Sequence, residues 1–114
     1  MLGKPSILVL SAAYSVGKDL VQTSLDQWES VFNINVTGVY LVMSEVIPHM
    51  INIGVGSIIT ISFQLAVRGG RNNSAYVASK GAVISLIKSL ALDYAEGLIL
   101  NNSCFPPRNA VYCT

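Results

Sequence analysis

Apolar and polar positions follow two different rhythms along the chain. Ser6-Ile7-Leu8-Val9-Leu10 is a short continuous apolar run, the pattern of a strand buried on both faces. Ser11 to Gly17 has no period and reads as loop. Ser24-Leu25-Asp26-Gln27 carries capping-box spacing, which predicts a helix from about Leu25. Its apolar stripe is Trp28, Phe32, Val39, Val42 and Val46, and it keeps a helical period only if Asn35 is counted as a member. An amide on a buried stripe needs hydrogen-bond partners, supplied by backbone, water or a functional group.

Pro48 and the Gly54-Val55-Gly56 turn are expected to end that helix, and Ser57 to Ser62 reads as a second buried strand. Phe63 to Asn73 is the least regular stretch, and its Arg68 and Arg71 read as solvated loop residues. A second helix is predicted from about Ser74 to Glu96, with Tyr76, Lys80, Val83, Ile87, Leu90 and Tyr94 on one face and Gly97 closing it. Leu98 to Cys104 reads as a third strand, stopped by Pro106-Pro107. Strand, helix, strand, helix, strand implies an α/β fold of parallel strands in the order 1-2-3, joined by right-handed helical crossovers.

Composition narrows the function. The 114 residues allow one domain at most. A formal net charge of +1, from seven basic and six acidic residues scattered singly, offers no basic stripe to a nucleic acid. The apolar fraction is 52% against 11% charged, which asks for strands buried on both faces or for surface meant for a partner. No continuous apolar run approaches a membrane span and no signal-like N-terminal region is evident, so a cytoplasmic chain is expected. Cys104 and Cys113 are expected to be unpaired, and with His49 as the single histidine no metal site is predicted.

Candidate chemistry lies in Ser74-Ala75-Tyr76-Val77-Ala78-Ser79-Lys80. Tyrosine and lysine four residues apart share a helix face, and an ammonium near a phenol favours the phenolate, which would make an acid/base pair. The same spacing also suits an apolar ring on the core with a lysine reaching to solvent.

Four segments decide between those alternatives: Asn33-Ile34-Asn35-Val36-Thr37-Gly38, Gly56 to Ser62, Ser74 to Ala82, and Asn101. In order and spacing they resemble the short-chain dehydrogenase/reductase family from Ser6 to about Cys104. The resemblance implies a Rossmann-like three-layer fold and an NAD(P)-dependent oxidoreductase acting on a small alcohol or carbonyl compound. It implies catalytic roles for Tyr76 as general acid/base, for Lys80 as the group that lowers the tyrosine pKa and holds the nicotinamide ribose, and for Asn35 as the holder of a water in the proton relay. Tyr76 and Lys80 would also contact the cofactor, NAD or NADP, as would Ala12, the one clean match to the family's Asn-Asn-Ala-Gly after the first strand.

The chain departs from the pattern in three places. The family's catalytic serine position is Phe63 here, with Ser62 beside it on the opposite strand face. Phe105-Pro106 stands where the family has Pro-Gly. The nine glycines never give the glycine-rich turn that seats a pyrophosphate. The chain therefore resembles the second half of a doubly wound domain, residues 1 to 114 forming one partial unit without the glycine-rich first strand, turn and helix. Two functions follow: an oxidoreductase impaired as an isolated chain, or a non-catalytic remnant acting through helix-mediated association. Homo-oligomers, association with a full-length relative, or poor solubility are expected from the surfaces such a fragment exposes.

Overall fold

The computed structural model describes residues 3, 5–62, 68–94, 99–105 and 112–113, the last two stretches as backbone. Strand β1 is Ile7–Leu10, and Ser24 opens α1, Leu25–Phe32. The capping box forms as predicted: Ser24 Oγ accepts from the Gln27 backbone N–H and Gln27 Oε1 from the Ser24 backbone N–H, both at 3.1 Å. A π turn, Asn33–Thr37, runs directly into α2, Gly38–Ile53. Strand β2 is Gly56–Ile61, helix α3 is Ser74–Asp93, and β3 is Ile99–Phe105. The predicted closing residue Gly97 lies outside the described residues.

The sheet order is β1-β2-β3-β4, where β4 is Tyr112–Cys113. Strands β1 and β2 are parallel with Ile7 opposite Ser57 and Leu10 opposite Thr60, and β2 and β3 are parallel with Gly56 opposite Ile99. The parallel order 1-2-3 is the expected one. Strand β4 was not expected; it pairs antiparallel to β3, with the Cα atoms of Cys104 and Cys113 in register. Two residues are too few to show a period of two in the sequence.

Right-handed crossovers that advance in one direction across a sheet place their helices on one face. Val39, Met43, Ile47 and Met50 of α2 and Val83 and Ile87 of α3 accordingly form one core with Ile58 of β2, with Leu8 and Leu10 packed against it. The opposite face of β1 is open: Ile7 is 67% and Val9 55% exposed. The prediction of a strand buried on both faces fails here, because no described element covers the second face.

The buried stripe of the first long helix is Val31, Asn35, Val39, Met43, Ile47 and Met50, where the sequence predicts Trp28, Phe32, Asn35, Val39, Val42 and Val46. The π turn accounts for the shift at its start, from Phe32 to Val31. A turn closed by i→i+5 bonds widens the local period, so Val31, Asn35 and Val39 line up four residues apart. Pro48 does not end the helix; it lies exposed within α2, on the side away from the core. The stop comes at Gly54, whose φ of 77° is the left-handed cap that favours glycine.

Both long helical segments, Leu25–Ile53 and Ser74–Asp93, are long and apolar enough by composition to cross a bilayer, although neither contains a continuous apolar run of that length. In this fold each lays one face on the sheet. At the turn into β2, a Cβ on Gly56 would fall 2.7 Å from the Cβ of the fully buried Met50. Gly56→Ala is expected to lower unfolding free energy by about 1–3 kcal/mol through overpacking. An unchanged urea midpoint would show that Met50 can move aside.

Candidate active site

Helix geometry brings Tyr76 and Lys80 together on the first turns of α3. The Lys80 ammonium stands 5.9 Å from the centre of the Tyr76 ring, and Lys80 is only 4% exposed. Its Nζ donates to the Ile61 carbonyl at 3.3 Å, which ties α3 to the carboxyl end of β2. The alternative of a lysine reaching to solvent is therefore not what the fold adopts.

Asn35 comes to the same end of the sheet from the π turn. It is fully buried. Its Oδ1 accepts from the Tyr14 backbone N–H and its Nδ2 donates to the Tyr14 carbonyl, both at 2.8 Å. The second Nδ2 proton goes to Ser79 Oγ at 2.9 Å, and Ser79 donates to the Tyr76 carbonyl at 2.7 Å. The side-chain amide is thus occupied in joining the loop after β1, the π turn and α3, and both of its protons are used.

The arrangement lies outside the carboxyl ends of parallel strands, where open α/β sheets bind ligands. Sequence reasoning missed Ser79 and the Tyr14 peptide. Ser79 sits inside the Tyr76 to Lys80 segment, so its buried side of the helix was legible; its partner was not. Ser62 is buried on the helix-facing side of β2 and its hydroxyl has no partner among the described residues. Phe63 lies outside the described residues. Ala12 is exposed and lines a groove of about 380 Å³ with Ser11, Ile34 and Val42, to which neither Tyr76 nor Lys80 contributes. Arg68 and Arg71 are exposed, as expected of solvated loop residues.

Electrostatics correct one expectation. Burial pushes the Tyr76 phenol above its ordinary 10.0, where the sequence reading has Lys80 lowering it. Burial also holds the Lys80 amine below its ordinary 10.5. The ammonium faces the ring and a carbonyl, so desolvation of the phenolate outweighs its attraction.

For Lys80 the unfolded chain binds more protons between the lowered folded value and 10.5, so its contribution makes stability rise with pH across that window. For Tyr76 the folded chain keeps its proton longer, so stability falls as pH rises through 10.0. In Lys80→Met, which keeps the stem and removes the charge, the stability difference from wild type is expected to change in favour of wild type as pH rises through the window below 10.5. A pH-independent difference in urea midpoint would contradict this.

The residues fit one end of a dinucleotide. Among the described residues Lys80 donates to one acceptor of the three its ammonium can serve, so donor capacity for a ribose hydroxyl or a water remains. The sequence offers no glycine run for the pyrophosphate end.

The sequence profile described as short chain dehydrogenase matches residues 1–109. A 3-oxoacyl-acyl-carrier-protein reductase of Chlamydia pneumoniae is 38% identical over 104 residues, covering 91% of this chain and 42% of that protein. The 2-(R)-hydroxypropyl-CoM dehydrogenase of Xanthobacter autotrophicus is 39% identical over 84 residues, covering 74% of this chain and 34% of the relative. The solved 3-ketoacyl-acyl-carrier-protein reductase from Brucella melitensis, complexed with NADH, superposes with a TM-score of 0.84 at 28% identity over 88% of this chain and 43% of its own. The chain thus spans less than half the length of these relatives. In sequence and in fold, this chain belongs to the short-chain dehydrogenase family.

Proposed function

We propose that the chain carries the proton-transfer half of an NAD(P)-dependent oxidoreductase acting on a small alcohol or carbonyl compound. The observation that carries this reading is the buried Lys80 beside Tyr76, tied to Asn35 through Ser79 at the carboxyl ends of β1 and β2. The cofactor supplies hydride, and the chain supplies position and a proton. Tyr76 donates its phenolic proton to the oxygen of a carbonyl substrate or accepts it back from an alcohol. Lys80 holds the nicotinamide ribose with its remaining N–H groups and keeps positive charge beside the ring. The Asn35 amide fixes the loop behind β1 against the site, and any water of a proton relay is held by other atoms than its two amide protons.

The domain is read as the second half of a doubly wound sheet, with the phosphate-binding turn absent from this sequence. Phe63 in the family's serine position removes a hydrogen-bond donor to the substrate oxygen, a loss of roughly two to three orders of magnitude where such donors have been removed elsewhere. These two features favour the second reading, a non-catalytic remnant. Titration of the chain with NADH and NADPH, followed by nicotinamide fluorescence, separates the two. Saturable submillimolar binding supports the oxidoreductase; no binding up to millimolar cofactor leaves the remnant.

Both readings place the chain in the cytoplasm and in an oligomer. The open face of β1 and the exposed Tyr40, Leu41 and Ile51 of α2 support association. Sedimentation at micromolar concentration is expected to show species larger than the monomer, shifting toward monomer in Val9→Lys. A single monomeric boundary for the wild type would count against it.

A further inference from the structure

We propose that Ser79 is a positioning residue that sets Tyr76 against Asn35, an inference that rests on the reading of Tyr76 as the proton donor. A serine bonding back to the carbonyl three residues earlier is a local habit of helices. Ser79 does this to Tyr76 at 2.7 Å and also accepts Nδ2 of Asn35, 44 residues away in sequence, at 2.9 Å. Both side chains are fully buried, so water offers neither a replacement partner.

One hydroxyl therefore has two duties. It fixes which way the Asn35 amide points, because Nδ2 must meet Ser79 and the Tyr14 carbonyl while Oδ1 meets the Tyr14 N–H. It also registers the first turn of α3 to the π turn. Without it an Asn35 N–H is left buried and unpaired, and the amide can relieve this only by leaving Tyr14 or by drawing the π turn away from α3. Either movement shifts the first turn of α3, which bears Tyr76, relative to the π turn and to the loop after β1 that the Asn35 amide holds.

The test compares wild type with Ser79→Ala, Ser79→Thr and a core control, Ile87→Val, each checked for folding by circular dichroism. In steady-state reduction of a panel of small ketones with NADH and NADPH, Ser79→Ala is expected to lose on the order of 10- to 100-fold in kcat with the cofactor KM within about twofold of wild type. Ser79→Thr, which keeps the hydroxyl, is expected to recover most of that loss, and Ile87→Val to show none. Unchanged kcat in Ser79→Ala, a change confined to KM, or no recovery in Ser79→Thr overturns the proposal. Should Ser79→Ala not fold, Ser79→Cys, with a similar size and a weaker donor, is read in its place.

If wild type neither binds dinucleotide nor turns over, the proposed oxidoreduction fails separately, and Ser79 is judged by NMR. Loss of the cross-peaks between the Asn35 side-chain amide and the β-protons of residue 79 in Ser79→Ala, with retention in Ser79→Thr and Ile87→Val, supports its positioning role. Cross-peaks of wild-type intensity in Ser79→Ala overturn it.

Discussion

Tyr76→Phe is expected to lower turnover by roughly 10²- to 10⁴-fold while leaving dinucleotide binding close to wild type. The substitution removes a single oxygen. The ring keeps its place on α3 and beside Lys80, so packing and the cation near the ring face are preserved. What disappears is the only proton the site has been assigned to give. Burial keeps the phenol protonated at neutral pH, which suits it to donate to a carbonyl oxygen and handicaps it as a base. Carbonyl reduction should therefore be the faster direction near neutrality, with alcohol oxidation gaining as pH rises. Equal turnover of wild type and Tyr76→Phe would remove Tyr76 from the mechanism.

Asn35→Ala is expected to be the most destabilising single change in the site, at about 3 kcal/mol or more. Three hydrogen bonds are lost, and the Tyr14 N–H, the Tyr14 carbonyl and the Ser79 hydroxyl lose a common partner. A buried donor or acceptor left without a partner costs about 1–3 kcal/mol. Stabilities of whole domains are only about 5–15 kcal/mol, so the variant would be close to unfolding. Asn35→Asp discriminates the cause: it keeps size and acceptor but has no proton for Tyr14 or Ser79 and buries a charge, so it should fare no better than alanine. Urea unfolding of both variants reads this directly. An alanine variant within about 0.5 kcal/mol of wild type would mean that water enters and replaces the amide.

Much of this was legible in the chain. The capping box at Ser24 to Gln27 is a local motif, and it forms as written. The parallel order of the strands follows from alternating strands and helices, because a helical crossover leaves few other routes. The proximity of Tyr76 and Lys80 follows from helical period alone. The misreadings have equally specific origins. Val31 displaces Phe32 from the buried stripe because a π turn changes the period, and nothing local in Asn33-Ile34-Asn35-Val36-Thr37 announces one; beyond it Met43 and Ile47 take the buried positions while Val46 packs partly buried against the same core. Pro48 passes through a helix because its side of α2 faces solvent. Ile7 and Val9 look like core residues but lie on a face that no described element covers.

By itself, then, the sequence determined the order of elements, their principal start and stop signals, and the shared face of the tyrosine and lysine, all consequences of interactions within a few residues. Tertiary structure alone decided that Asn35 spends its amide on Tyr14 and Ser79, that Lys80 turns inward to Ile61, and that the Tyr76 phenol is raised and not lowered. Those outcomes depend on contacts between segments 19 to 44 residues apart and on the water they exclude. Desolvation is a property of the packed surroundings, so no spacing along the chain could have given its sign.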